Sequence, residues 1–596
     1  MPGNTALEGP SVIRKLIHLV DSLLSIQARG NRWSVCLLAL VLAGAVPSFA
    51  NTLTVTNTND SSSGSLRDAI ATADPGDTIE FSVTGAITLT SGSLTLDKNL
   101  TIKGPGAAQL AISGGGNPVL VINSGVIAIS GLTIQNGEVH APPYVGGGIL
   151  NHGTLTLIES TVSGNYDYAG SGGGIYNDGT LTLVSSTISK NYTFYGGGGI
   201  VNSGSLRLIN TTVSDNTADE GNGGGIVNSS TLTLINSTVS NNEAFDGGGI
   251  LNSGTLTVTN STISDNASDV TAGGGGGGGV YNNPGGTVTV TDSTFAGNSA
   301  SNAGGGGIYN DGGTFTVTNS TIAGNSAIYI GGGIYNAGIL TAKNILLANN
   351  VAYSGTANCV LDSGTATSLG YNVSDDDTCT SSFTATGDEN NVIPGAGLDP
   401  KGLQNNGGPT QTIALQPGSP TVDHIPVADC TDASGNPVKT DQRGIKRPQG
   451  PACDVGAFEL VQTVPFSNFT ALLAIQTGHN PRFGLTARFT LGAGSDGFAS
   501  LTQPVTLQIA NYTVDIPAGS FHQLWKSPSA PYIYDGTING TKLVVGIIPL
   551  GGKSYEFSAV GSPVAWANVT NPVTVSLTVG NDGGGSTPVK AFIDKR

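Results

Sequence analysis

The stretch Gly172-Gly173-Gly174-Ile175-Tyr176-Asn177-Asp178-Gly179-Thr180-Leu181-Thr182-Leu183-Val184-Ser185-Ser186-Thr187-Ile188-Ser189-Lys190-Asn191 decides the fold. Its opening block, Gly-Gly-Gly-Ile/Val-X-Asn, returns eight times, with the Asn at Asn151, Asn177, Asn202, Asn228, Asn252, Asn282, Asn310 and Asn336. A second Asn follows fourteen residues later in most units, at Asn165, Asn191, Asn216, Asn242 and Asn266. Between the two lie a Thr-Leu-Thr-Leu run and a Ser-Thr-Val/Ile-Ser run. Apolar residues such as Leu155, Leu157 and Val162 alternate with Thr154, Thr156 and Thr161, the period-two pattern of half-buried strands built from residues that suit a pleated surface. A strand-patterned unit this short cannot bury its own apolar face, so successive units must stack on one core. With the glycine block as a third short strand, the spacing predicts a parallel β-helix of three strands per coil, rising about 4.8 Å per coil.

The two Asn columns read as internal ladders, because an amide can donate to one copy of itself and accept from another. Asn210, Asn236, Asn260, Asn319 and Asn344, at the corner between the second and third strands, are expected to ladder too, and Asn tolerates the left-handed backbone of a tight corner. Triplets such as Asn236-Ser237-Thr238 are read as ladder residues followed by strand residues, not as glycosylation acceptors.

The chain has 596 residues, 90 of them Gly, a single Met, few charges and a net charge of −17, which suits an exported β-solenoid and argues against nucleic acid as a partner. Arg29 and Arg32 precede an apolar run from Trp33 to Val46 that ends in Ser48-Phe49-Ala50, the pattern of a signal peptide cleaved after Ala50. The run is short for a membrane span, and Cys36 lacks a lipobox. The role of residues 1–28 is unassigned. Export leaves Cys359, Cys379, Cys430 and Cys453, an even number that suits an oxidising compartment. Of the available connectivities, Cys359 with Cys379 and Cys430 with Cys453 is favoured, since loops without strands gain from local staples. No spacing supports zinc.

Both ends of an open β-helix need covering. At the start, Thr52 to Asp60, Gly64 to Ile70 and Gly76 to Phe81 read as strand, short helix and strand. This resembles the CSLREA-type leader of bacterial β-helices, with the leader's Cys replaced at about Gly64. At the other end come Gly397-Leu398-Asp399-Pro400, Leu403 to Thr412, Pro417 to Asp423, Thr440-Asp441-Gln442-Arg443-Gly444-Ile445, Arg447-Pro448 and Cys453 to Glu459. That succession resembles the choice-of-anchor Q domain, a family of secreted bacterial right-handed β-helices. The resemblance implies an all-β, right-handed, pectate-lyase-like solenoid and export, but carries no catalytic set. A lesser likeness to polymorphic outer-membrane-protein repeats, through Phe295 to Asn298, points toward adhesion.

From about Pro465 the repeats stop. Alternating segments Leu485 to Leu491, Val505 to Ile509, Lys542 to Ile548 and Val573 to Val579, with turns at Asp496-Gly497, Asn539-Gly540 and Gly551-Gly552, predict a separate β-sandwich. The expected organisation is thus an extension and signal peptide (1–50), a cap with the first coils (51–140), the Gly/Asn-rich repeats (141–350), last coils and a disulfide-stapled cap (351–464), and a sandwich module (465–596).

Function in a solenoid sits where repeats differ. The variable corner after the second Asn carries Tyr166, Asp167, Tyr168, Tyr192, Phe194, Tyr195, Phe245 and Asp246, with Asp269 and Tyr329 further along. Aromatic faces beside carboxylates can hold sugar rings, and the carboxylates can collect Ca²⁺, the one candidate ion; no other cofactor is implied. The competing reading is that these tips serve solubility and cover the glycine strands. An enzyme is the rival class. Lyase chemistry is disfavoured, because Lys190 and Arg207 are the only candidate cations between Gly104 and Ala342 and neither has a carboxylate cluster beside it. Hydrolysis needs two carboxyl groups, for which Asp219, Glu220, Glu243 and Asp246 are candidates. His140 and His152 are read as turn residues, and the tract Gly273 to Gly279 as a corner insertion. The sequence therefore favours an exported, monomeric, non-catalytic β-helix acting in surface adhesion or glycan binding, with a polysaccharide hydrolase as the alternative.

Overall fold

The alternation of Leu and Thr turns one set of side chains inward in every repeat. In the computed structural model, which describes residues 50–140, 145–168, 170–268, 276–301, 304–353, 357–461, 464–492, 495, 504–566, 569–580, 582–583 and 587–595, these sets form one continuous core. The leader through Phe49, Asp269, part of the Gly273 to Gly279 tract and the Asp496-Gly497 turn lie outside the described residues.

One coil consists of Ile175–Asn177, Thr180–Val184, Thr187–Ser189 and Tyr192–Thr193. Each strand pairs in parallel with its copies in the coils before and after, giving stacked sheets of 11, 13, 12 and 9 strands respectively. Register is unbroken through the repeats: Leu155, Leu181, Leu206, Leu232 and Leu256 form one fully buried inward column. The three expected strands are present, and the two residues after the second Asn add a fourth ladder that the sequence pattern did not indicate.

The glycine block has a steric cause. Gly172 takes φ +80°, and a Cβ on Gly173 would stand 2.2 Å from the Tyr192 carbonyl oxygen at the far end of its own coil and 2.8 Å from the Gly198 carbonyl oxygen of the next coil. On Gly174 it would stand 2.9 Å from the Asn191 amide nitrogen. The block thus lets the chain turn and lets one coil approach the next.

The corner asparagines correct an expectation. Glu159, Ser185, Asn210, Asn236, Asn260, Asp292, Asn319 and Asn344 all have φ between 47° and 57°, so this column supplies left-handed corners. Among the described residues only Asn344, donating to Asn319 Oδ1 at 3.0 Å, makes a ladder bond there. The ladder beside the corner is instead built from buried hydroxyls, with the N–H of Ser237, Ser261 and Ser293 donating to Oγ of Ser261, Ser293 and Ser320 at 3.1 Å each.

Helix Leu66–Thr72 closes the start of the stack. Ser65 caps it by accepting from the Asp68 N–H, and Leu66, Ala69 and Ile70 join the solenoid core. At the far end the disulfide Cys359–Cys379, with Cα atoms 5.1 Å apart, sits with Phe383 at the end of the same core. The following segment departs from the expected end cap. Leu398, Ile413, Leu415, Val455 and Phe458 pack on Ala296, Ala323, Leu346 and Ala348, so residues 394–460 lie along the outer flank of the third sheet. Outward positions on that sheet change from Thr161 and Ser163 to Leu346 and Ala348, which need an apolar cover. The second disulfide, Cys430–Cys453, with Cα atoms 6.1 Å apart, staples this strap. Gln442 docks it by donating to the Ser261 carbonyl at 3.2 Å and accepting from Thr294 Oγ1 at 2.6 Å. The buried pairs Arg447–Glu459 (3.1 Å) and Arg443–Asp441 (2.6 Å) hold its interior.

Beyond residue 464 a six-stranded and a seven-stranded sheet enclose a second core that includes Phe483, Phe489, Phe557, Leu507 and Leu577. This is a β-sandwich with tight turns at Asn539-Gly540 (φ 50° and 80°) and Gly551-Gly552 (φ 101° and 61°).

Candidate functional site

The fourth sheet positions the candidate side chains. Its strands are two residues long, so the first residue of each faces out and the second faces in. The outward column runs Glu138, Tyr166, Tyr192, Thr217 and Glu243; the inward column runs Val139, Asp167, Thr193, Ala218 and Ala244. Asp167 is therefore fully buried, and the structure removes it from the exposed ligand-binding set expected from its neighbours.

The outward column and the residues beside it gather an aromatic strip over three coils. Tyr166 and Tyr168 lie stacked with centroids 5.8 Å apart, and Tyr192 leans on both at 5.9 and 6.3 Å. His140 stacks on Tyr168 at 5.3 Å while its Nε2 meets Glu138 at 3.1 Å, so a residue set aside as a turn histidine joins the strip. Tyr166 and Tyr168 remain 37% and 49% exposed. At the next coil the Tyr192 hydroxyl donates to Asp219 Oδ2 at 3.0 Å, and burial together with that carboxylate pushes the phenol up to about 12. Phe194 and Tyr195 form an edge-to-face pair at 5.0 Å, with Tyr195 58% exposed. Tyr329 is exposed on a later coil.

Among the described residues no hydrogen bond links the four candidate carboxylates to one another. Asp219 is held by Tyr192, and Glu220 and Glu243 are exposed. Asp246 accepts from the Gly276 N–H at 3.2 Å, and burial, with the charge of Asp311 beside it, holds its carboxyl above the usual range. Phe245 beside it is half-buried. Among the described residues no group of three or more His, Cys, Asp or Glu side chains is placed to hold a metal ion. Cavities of about 260 Å³ and 330 Å³ lie elsewhere, under the strap and on the sandwich.

A second aromatic row escaped the sequence reading. Tyr281, Tyr309 and Tyr335 occupy the X of three consecutive glycine blocks and stack at 4.8 and 4.5 Å. Tyr281 donates to Asp311 Oδ2 at 3.0 Å, and burial raises all three phenols. The repeated Gly-Ile/Val-Tyr-Asn was the available signal. Here the faces are taken up by neighbouring rings and the glycine backbone, and the row is a half-buried ladder in which Tyr335 is the buried member.

The Asn columns are continuous hydrogen-bonded chains. In the first, Asn151 donates to Asn177 at 2.6 Å, and Asn202, Asn228, Asn252, Asn282, Asn310 and Asn336 continue it at 2.6 to 2.9 Å. In the second, Asn165, Asn191, Asn216, Asn242 and Asn266 are linked at 2.9 Å, and Asn298, Asn325 and Asn350 extend it.

A family model described as a right handed beta helix region matches residues 148–322. A solved structure of a PL6 family alginate lyase, AlyGC, aligns with 72% of this chain at 15% identity and a TM-score of 0.29. The alignment covers 61% of that lyase, so the chain spans about three fifths of its length. No curated protein matches the chain. Among the described residues no helix is long and apolar enough to cross a membrane. In sequence and in structure, the chain is built on a right-handed β-helix region.

Proposed function

We infer that this is an exported protein of the choice-of-anchor Q kind that binds glycans at a surface through the His140, Tyr168, Tyr166 and Tyr192 strip. The observation that carries this reading is the strip itself, four rings in contact, partly exposed, at the edge of a rigid stack. Exposed tyrosines attract the apolar faces of sugar rings, while their hydroxyls and Asp219 offer hydrogen bonds to sugar hydroxyls. The coil rise of about 4.8 Å is close to the length of one sugar ring along an extended chain, so the strip can follow a polysaccharide laid along the solenoid axis. Two disulfides fit an oxidising, extracellular setting.

The hydrolase alternative requires two carboxyl groups facing one another across a glycosidic bond. Asp219 bonded to Tyr192 and Asp246 bonded to Gly276 support the non-catalytic reading instead. A glycan-array screen of the protein and its Tyr166→Ala/Tyr168→Ala variant tests the proposal: binding by the wild type that the double variant loses supports it, and equal binding by both refutes it.

A further inference from the structure

The charges around the tyrosine strip are largely of one sign. Glu138, Tyr166, Tyr192, Thr217 and Glu243 follow one another outward on successive coils, about 4.8 Å apart, so carboxylates bound the rings at both ends. Asp219 and Glu220 come just after Thr217. Asp219 Oδ2 accepts from the Tyr192 hydroxyl at 3.0 Å, and Glu220 stands close enough for its charge to act on the same phenol. Glu138 meets His140 Nε2 at 3.1 Å. Asp219, Glu220 and Glu243 are exposed, and among the described residues Asp219 Oδ1 and the carboxylates of Glu220 and Glu243 accept no hydrogen bond and form no ion pair. Opposing charge is scarce, since Lys190 and Arg207 are the only Lys or Arg between Glu138 and Asp246. Arg207 stands on another sheet, between Thr182 and Thr233. Lys190 occupies a left-handed corner whose counterpart on the next coil is Asp215, which offsets it.

We propose, on the reading of the strip as a glycan site, that it takes a polysaccharide of amino sugars whose free amines are protonated. Such a sugar keeps an apolar ring face for the tyrosines and adds an ammonium with three donors, which matches carboxylates that have acceptors to spare. An ammonium is also drawn to the face of a tyrosine ring. Because one coil rises by about the length of one sugar ring, sugars seated on Tyr166, Tyr168 and Tyr192 place their neighbours at Glu138 on one side and at Asp219, Glu220 and Glu243 on the other. A uronate would bring its own carboxylate up to these and be repelled.

Glu220→Gln/Glu243→Gln provides the test, since it removes two charges at exposed positions and keeps the side-chain size. The full-length protein, this variant and Tyr166→Ala/Tyr168→Ala are titrated calorimetrically with hexamers of glucosamine, N-acetylglucosamine and galacturonate, the last with and without Ca²⁺. The buffer is mildly acidic, so that the sugar amine carries its proton, and thermal melts are run in parallel. The glucosamine hexamer is expected to bind the wild type about tenfold more tightly than the N-acetylglucosamine hexamer, which has the same backbone without the charge. Glu220→Gln/Glu243→Gln should cut that preference by roughly threefold with an unchanged melt, and Tyr166→Ala/Tyr168→Ala should weaken both ligands. Equal affinity for the two hexamers, both weakened in the tyrosine variant, would reject the amino-sugar assignment and retain the strip as a glycan site. A preference that survives Glu220→Gln/Glu243→Gln, or tighter binding of the galacturonate hexamer, would also overturn the assignment. Binding that the tyrosine variant leaves unchanged, or no binding of any hexamer, would remove the strip reading and the assignment together.

Discussion

Asn191 Oδ1 accepts two hydrogen bonds from Asn165, one from its side-chain amide at 2.9 Å and one from its backbone N–H at 3.1 Å. The same arrangement repeats down the column, so each Asn satisfies both a side chain and a main chain of the preceding coil. Asn191→Ala leaves two buried donors of Asn165 unpaired and is expected to destabilise the solenoid by about 3 kcal/mol, read from urea unfolding. By contrast, Asn236→Ala, at a left-handed corner outside any ladder, should cost about 1 kcal/mol, with Asn236→Gly close to neutral.

Asp292 is buried beneath the strap, and burial raises its carboxyl to about 7. Its folded pKa therefore exceeds its unfolded value near 4, the folded state binds the extra proton, and stability falls as pH rises from about 4 through 7. Asp292→Asn should flatten that decline and stabilise the protein at pH 8 by on the order of 2 kcal/mol, measured as denaturation midpoints across the range.

The Cys430–Cys453 bond closes a loop within the strap. Replacing both cysteines with serine should cost about 3 kcal/mol by the loop-entropy account. Limited proteolysis should then cut residues 394–460 well before it cuts the repeats.

Tyr192 and Asp219 are linked, and the phenol sits at about 12 because of burial and that carboxylate. Asp219→Asn should bring the Tyr192 midpoint down toward the ordinary tyrosine value, followed by NMR titration of a site-specifically labelled Tyr192 ring. The raised phenol stabilises the folded state only below its unfolded pKa near 10. That contribution is lost as pH climbs from there to about 12.

The columns were legible because repetition makes them so. Leu155, Leu181 and Leu206, or Asn165, Asn191 and Asn216, recur at the same place in every unit, and a period of two shows over a five-residue strand. A strand such as Tyr166–Asp167 is too short to show any period, so the inward turn of Asp167 could not be read. The strap depends on contacts such as Gln442 with Ser261, across 181 residues, and its only local trace is the change to Ala296, Ala323 and Ala348 on the third sheet. His140 precedes the regular repeats, so no column pointed to its stacking on Tyr168.

The central claim is that the exposed tyrosine strip binds a polysaccharide without cleaving it. Its most direct measurement is calorimetric titration of a polysaccharide found in the array into the wild type and into Tyr166→Ala/Tyr168→Ala, with reducing ends and unsaturated products assayed in the same samples. Binding that the double variant weakens at least tenfold, with no new ends, is expected. New reducing ends or unsaturated products from the wild type, or equal affinity in the two proteins, would contradict it.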